Sequence, residues 1–389
     1  MARPYDVVVF GATGFAGKLT AAYLARAVPP ECRWAIAGRS KDKLAAVRDE
    51  LAAIDPALGD LPLLQAAADD ARSLRALADS TRVLITTVGP YVLYGDGLVA
   101  ACAAAGTDYL DLTGEPEFVD RCYVRHHDAA VASGARIVHA AGFDSIPHDL
   151  GAYFTVLQLP ADVPITVSGY VRASMMISGG TFATMLTGLS RARQNLAAHR
   201  ERRAQEPRAG GTRQVRARAG RPGRDPVDGG WAMPFPSLDP QIVGRSARAL
   251  DRYGPDFRYT HHVSVPHLYT AVGSAAGLVA LAAAAQIPPA RRAVQKRLAP
   301  GEGPSAEKRA KSWFTVTFVG EGGGQRVVTQ VSGGDPGYGE TAKMLGEAAL
   351  CLAYDDLPAT AGQVTTATAM GEQLIDRLRK AGIGFEVLG

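Results

Sequence analysis

The residues with the clearest chemical potential lie near the start of the chain. Gly11-Ala12-Thr13-Gly14-Phe15-Ala16-Gly17 follows the apolar run Val7-Val8-Val9-Phe10 and opens a stretch with helical periodicity. A glycine-rich turn between a strand and a helix lets a phosphorylated ligand approach the backbone, where free N–H groups and the helix dipole stabilise its charge. Three spaced glycines alone are a weak signal. Placed directly after a strand-like run, they read as the first turn of a dinucleotide-binding unit. Gly11, Thr13, Gly14, Phe15 and Gly17 are therefore the candidate pyrophosphate contacts.

A second group sits at the end of the next strand-like run, Arg33-Trp34-Ala35-Ile36-Ala37, which continues Gly38-Arg39-Ser40-Lys41 with Lys43 beyond. An NAD site places a carboxylate here for the ribose hydroxyls. This chain has cations instead, so Arg39, Ser40 and Lys43 suit a 2′-phosphate and the cofactor is read as NADPH. Asp69, after the third strand-like run, is a candidate for the adenine edge or for a helix N-cap.

In a doubly wound sheet the loops after strands four, five and six face the reactive end of the cofactor. Here they are Val88-Gly89-Pro90-Tyr91, Asp111-Leu112-Thr113-Gly114-Glu115 and Gly142-Phe143-Asp144-Ser145-Ile146-Pro147. Gly89 and Pro90 would let the backbone pass close to the cofactor. Tyr91, Asp144 and Ser145 could supply a proton or position a carbonyl, although turn formation and helix capping explain the same residue types. The histidine pairs His126-His127 and His261-His262 have no metal-ligand spacing, and no G-x-S-x-G elbow is present, so no metal is expected.

The elements that must position these groups are legible as alternating strands and helices from Tyr5 to about residue 140, which predicts six parallel strands with helices on both faces. Beyond Asp149 the runs 164–171, 259–265, 313–319 and 326–331 suit antiparallel strands, and 181–200, 271–285, 338–353 and 365–381 suit helices. The fold class is thus α/β, a Rossmann domain over 1–148 followed by an α+β domain over 149–339 built on a largely antiparallel sheet. The helices of about 340–389 have room to pack back on the first domain. Ala271 to Ala285 reads as a buried helix, since it falls short of the roughly 20 residues that span a bilayer.

The chain has 389 residues, enough for two cores, and its 47% hydrophobic and 21% charged residues exclude a disordered protein. Four scattered cysteines and no signal-like N-terminus point to the cytoplasm. The net charge of +4 is uneven: residues 191–224 hold eleven arginines against two glutamates. The stretch 200–230, rich in Gly, Pro and Arg, is read as a long basic loop.

Taken together, Val8 to Gly17, Trp34 to Ser40, Gly89-Pro90-Tyr91, Gly106 to Glu115, Gly142 to Pro147, Ser178-Gly179-Gly180-Thr181 and Gly334-Asp335-Pro336-Gly337-Tyr338 resemble the saccharopine dehydrogenase-like oxidoreductases, and within them the trans-acting enoyl reductases of polyketide-lipid synthesis. Gly95-Asp96 departs from the Gly-Glu common there. The resemblance implies NADPH-linked reduction of a carrier- or thioester-bound α,β-unsaturated acyl group. Met175 to Phe182 would then suit an acyl channel, and the basic loop an acidic acyl carrier protein or polyketide synthase. The alternatives are a saccharopine-type, imine-forming amino-acid dehydrogenase, and a non-catalytic NADP-binding sensor or lipid-surface protein with peripheral membrane contact. No nucleic-acid partner and no transmembrane segment are expected. The cations after the second strand predict a preference for NADPH over NADH of on the order of tenfold or more, the worth of one charge-assisted contact; equal catalytic efficiency with the two cofactors would refute it.

Overall fold

The computed structural model describes residues 3–174, 188–206, 213–235, 237–287 and 303–389. Its strands, in chain order, are β1 (Tyr5–Phe10), β2 (Trp34–Gly38), β3 (Leu63–Gln65), β4 (Thr81–Thr86), β5 (Asp108–Asp111), β6 (Arg136–Val138), β7 (Ile165–Ala173), β8 (Gln214–Ala219), β9 (Gly223–Arg224), β10 (Trp231–Pro234), β11 (Asp256–Val265), β12 (Phe314–Gly322), β13 (Gln325–Gly333), β14 (Gly362–Val364) and β15 (Gly384–Val387).

The first sheet is parallel throughout and runs β14-β6-β5-β4-β1-β2-β3. Its strands are buried on both faces, which is why they read as continuous apolar runs. Val7, Val9, Ile36, Val83 and Ile85 pack into one core, while Val8, Phe10, Ala35, Ala37 and Leu84 pack into another on the opposite face. The six expected strands are joined by a seventh, β14, whose three residues carry too little pattern to be read in the sequence. It follows the helix Gly339–Tyr354, which packs on the helix Phe15–Ala27 and on β4.

The second sheet is mixed, in the order β15-β13-β12-β7-β11-β10-β9, with β8 also on β11. β12 pairs antiparallel with β13 and β7, and β10 with β11. The expectation of antiparallel pairing fails at β7 with β11 and at β8 with β11, which are parallel. Helical crossovers explain this, since Asp239–Ala249 lies between β8 and β11. The helix Ile146–Leu157 packs on this sheet so closely that a Cβ on Gly151 would lie 2.3 Å from the Phe318 ring.

Two further expectations are corrected. The basic loop of 200–230 contains β8 and β9, and its start continues the helix Ala192–Gln205. Within β8, Val215, Ala217 and Ala219 alternate with Gln214, Arg216 and Arg218, a period of two that the arginines obscured. The helix expected to be buried at 271–285, Leu268–Gln286, is instead largely exposed, with Tyr269, Val272 and Val279 facing solvent. Alanines and glycines all around a helix do not mark which side packs. No helix of the described residues is long and apolar enough to cross a membrane. The suggested channel residues 175–182 lie outside the described residues.

Much of the basic block works as struts. Arg191 grips Glu117 through two contacts of 2.7 and 2.6 Å. Buried Arg202 meets buried Asp120 at 2.6 Å and Glu206 at 2.9 Å, while Gln241 donates to Asp120 at 2.6 Å. These contacts fasten the helix Ala192–Gln205 to the helix Pro116–Ser133. Arg202→Ala would strand Asp120 without its counter-charge and should lower unfolding stability by on the order of 3 kcal/mol in chemical denaturation. A loss below about 1 kcal/mol would mean that this pair holds no more than an exposed one.

Candidate active site

Strand order reverses at β1, which has β4 on one side and β2 on the other. The crevice this creates at the carboxyl ends of the strands holds the glycine-rich turn. Gly11 lies at φ +91°, and a Cβ there would approach Val88 Cγ2 to 2.7 Å. On Gly17 a Cβ would lie 2.2 Å from the Gly11 carbonyl oxygen, so helix and turn pack without room for a side chain. Gly14 differs: it is exposed, and its added Cβ would meet nothing nearer than 3.4 Å. The helix Phe15–Ala27 has no side-chain cap and no acid in its first turn. Its leading N–H groups are therefore available to an anion in front of Gly14, as a pyrophosphate requires.

Thr13 lies beside Gly38, and Phe15 meets the Tyr338 ring edge-on at 4.7 Å. Tyr338 ends the Gly334-Asp335-Pro336-Gly337 loop, which Asp335 shapes by accepting from the N–H groups of Gly337 and Gly339. Past β2, Arg39 and Lys43 are exposed, and neither has an ion-pair partner among the described residues. The Ser40 hydroxyl accepts from Lys43 N–H at 3.4 Å, capping the next helix, and keeps its own hydrogen to donate. Asp69 is exposed and does not cap; its neighbour Asp70 does, accepting from Arg72 N–H.

The three loops at the reactive end interlock through two buried carboxylates. Asp111 accepts from the Tyr109 hydroxyl at 2.9 Å and from the N–H groups of Thr113 and Ala140 at 3.0 and 2.9 Å, and it contacts His139 Nδ1 at 2.6 Å. Glu115 accepts from the N–H groups of Tyr91 and Val92 at 2.9 and 2.7 Å, pinning the cis Gly89-Pro90 turn. Burial raises the Glu115 carboxyl above its ordinary range against the pull of those two donors. Tyr91 is corrected as a proton donor. Its hydroxyl donates to the Thr86 carbonyl at 3.1 Å and accepts from Leu112 N–H at 3.2 Å, and burial holds its pKa well above 10. It braces the loop.

Asp144 behaves differently. It keeps an exposed surface while the surrounding protein desolvates the rest of it. That desolvation, and then the charge of Asp239, pushes its carboxyl up to about 7. Its Oδ2 occupies the space above Gly114, where an added Cβ would lie 3.0 Å away. Ser145 is fully buried and donates to Asp239 at 3.3 Å, so its hydroxyl is turned away from the role expected of it.

Behind them lies a cluster that linear spacing concealed. Asp239 stands 3.3 Å from His148 Nδ1 and 3.5 Å from His261 Nε2, and the His261 Nδ1 shares a hydrogen bond of 3.0 Å with the Tyr259 hydroxyl. Burial depresses both imidazoles to about 3, so they are neutral. Three ligand atoms of this set lie within 4.8 Å of one another, the span of a metal site, a convergence that the linear spacing behind the expectation of no metal does not report. Among the described residues the buried His148 Nδ1 makes no hydrogen bond, so its contact with Asp239 is one of proximity. The three residues come from two helices and a strand, so no sequence motif could have shown them. Asp96 of the departing Gly95-Asp96 pair is held at the surface by His126 and Arg125, which pull its carboxyl down to about 2.

A family model described as the saccharopine dehydrogenase NADP binding domain matches residues 7–138. Over 99% of its length the chain is 39% identical to 97% of a Mycobacterium tuberculosis protein to which the name trans-acting enoyl reductase is provisionally attached. It is 35% identical to the trans-acting enoyl reductase of Mycobacterium ulcerans and 36% to that of Mycobacterium bovis, in each case over 98% of this chain and 97% of the relative. Among solved structures, apo saccharopine dehydrogenase (L-Glu forming) from Saccharomyces cerevisiae shares the fold with a TM-score of 0.57 at 10% identity, covering 99% of this chain and all of that one.

Glu115→Ala would release the N–H groups of Tyr91 and Val92 and let the Gly89-Pro90 turn drift. We expect kcat/KM to fall on the order of tenfold or more, with partial recovery in Glu115→Gln, whose amide oxygen still accepts. Unchanged kinetics in a folded Glu115→Ala protein would detach this residue from the site.

Proposed function

The chain belongs to the saccharopine dehydrogenase-like oxidoreductases, in their trans-acting enoyl reductase branch, and from that membership we propose that it uses NADPH to reduce the double bond of a carrier- or thioester-bound α,β-unsaturated acyl intermediate of polyketide or lipid synthesis. The observation that supports the reading is one end of the parallel sheet bearing both an open phosphate cradle at Gly14 and, beyond β6, the Asp144 carboxyl placed above Gly114, which desolvation pushes up to about 7.

When bound, NADPH supplies the hydride for the β-carbon of the substrate. The displaced π pair moves into the thioester as an enolate, and the α-carbon then needs a proton. Asp144 carries that proton at its carboxyl and is reprotonated from water through its exposed side, which is the work of a general acid with a pKa near the working pH. Gly11, Gly14, Gly17, Thr13 and Phe15 form the pyrophosphate cradle. Arg39 and Lys43 would neutralise a 2′-phosphate, Ser40 would donate to it, and Asp69 would meet the adenine edge. Gly89 and Pro90, pinned by Glu115, form the wall beside the nicotinamide.

An imine-forming reaction on amino and keto acids would call for arginines free to hold carboxylates in the cleft. Among the described residues, the arginines of the basic block instead serve as struts or face solvent on the helix Ala192–Gln205 and along β8, β9 and the turn between them. We assign Arg216, Arg218 and Arg221, with Arg258 beside them on β11, to docking of an acidic carrier domain, because this exposed group gathers positive charge at one edge of the second sheet. Asp256 balances only Arg216 and Arg258. We place the protein in the cytoplasm, a reading supported by four free cysteines.

The test is NADPH oxidation with carrier-bound and small enoyl thioesters across pH. Turnover should fall as pH rises through about 7, where Asp144 loses its proton. Asp144→Asn should lower kcat about 100-fold and flatten that limb while NADPH affinity holds. Turnover at the wild-type rate in Asp144→Asn would remove it as the acid, and no oxidation with any enoyl thioester would overturn the reductase reading. Rising salt should slow only the carrier-bound substrate if the arginine edge docks it.

A further inference from the structure

The residues matched to the NADP-binding family model end at 138, yet one cation from far outside that range leans over the cofactor turn. The short helix Ala306–Ala310 is started by Ser305, whose hydroxyl accepts from Lys308 N–H. From it Arg309 extends to Phe15, with its guanidinium carbon 5.8 Å from the centre of the ring. Phe15 is the first residue of the helix whose N-terminal N–H groups face the pyrophosphate position. Tyr338 meets the same ring edge-on at 4.7 Å, and Gly303 packs so tightly on it that an added Cβ would lie 2.2 Å from the ring edge.

Among the described residues no carboxylate lies within 4.0 Å of Arg309, although most arginines at comparable depth, such as Arg136, Arg191 and Arg377, are paired. Its Nε is shielded from solvent and makes no hydrogen bond. A partly buried guanidinium with an unsatisfied N–H is costly unless an anion completes it. Lys308 and Lys311 flank it and add positive charge to the same short segment.

We propose that Arg309 is a cofactor-binding residue that closes on the pyrophosphate of NADPH from the side opposite the Gly14 turn, so that the dinucleotide is held between the two sheets' elements. The backbone N–H groups of the first helix supply fixed donors, and the guanidinium adds a charge-assisted contact that the turn by itself lacks. This contact lies on the part of the cofactor common to NADPH and NADH, whereas Arg39 stands at the end that differs between them. The two arginines therefore act separately: Arg39 sets which cofactor is chosen, and Arg309 sets how firmly either one is held. The proposal rests on the cofactor site and not on the identity of the acyl substrate.

Binding without substrate tests it. NADPH and NADH are titrated into the full-length protein by the change in nicotinamide fluorescence, for the wild type and for Arg309→Ala, Arg309→Lys and Arg39→Ala, each checked for an unchanged melting temperature. Arg309→Ala should weaken both cofactors by about 10- to 100-fold, the loss of one charged hydrogen bond. It should leave their ratio unchanged, and Arg309→Lys should recover part of the loss. Arg39→Ala should collapse the ratio while sparing NADH. Unchanged affinity in Arg309→Ala overturns the proposal. So does a loss confined to NADPH, which would move Arg309 to the 2′-phosphate. An enzyme that binds cofactor in this pattern but reduces no enoyl thioester would overturn the substrate reading and leave the role of Arg309 intact.

Discussion

The buried carboxylate of Asp111 is the constraint on which the rest of the site depends. It is fully enclosed, and it satisfies donors from its own strand, from the loop that follows and from the end of β6. A buried carboxylate is stable only when donors surround it, so each of these segments is held where Asp111 needs it. Ala140 is carried into φ +57° to bring its N–H to this carboxylate, a conformation that only surrounding structure can enforce. Glu115, a few residues on, extends the same principle to the Gly89-Pro90 turn. The Gly89-Pro90 turn is therefore held by hydrogen bonds to a buried carboxylate, and Asp144 stands in the neighbouring loop above Gly114.

Charge is spent in a second way between the helices. The Asp120, Arg202, Glu206 and Arg245 group joins the helices Pro116–Ser133, Ala192–Gln205 and Asp239–Ala249 by buried ion pairs. Buried pairs of this kind are weak sources of net stability but strict about geometry, because losing either member leaves an isolated charge. Asp239 begins the last of these helices and stands between His148 and His261. The same strut thus also fixes the position of Asp239, whose charge adds to desolvation in raising the Asp144 carboxyl.

The cofactor half was legible because its rules are local. The spacing of Gly11, Gly14 and Gly17 follows from the turn itself, and the three glycines prove to do three different jobs: left-handed backbone, open front and close packing. The charge type at Arg39 follows from its place after β2. The catalytic half was legible only as candidates. Tyr91, Asp144 and Ser145 all carry suitable atoms, but whether a hydroxyl or carboxyl is free depends on partners far along the chain. Tyr91 is consumed by Leu112 and Thr86 and Ser145 by Asp239, whereas Asp144 has no hydrogen-bond partner among the described residues and fills the space above Gly114.

The sequence by itself determined the parallel sheet, the glycine-rich strand-to-helix turn and the NADP-binding character of the first domain, since each depends on residues within a few positions of one another. The tertiary structure alone decided which candidate keeps a proton, that the arginine block is largely strut and strand instead of loop, and that Arg309 reaches Phe15 across nearly three hundred residues. Desolvation and charge pairing are properties of who is near in space, and a linear pattern carries that information only where chain neighbours are also spatial neighbours.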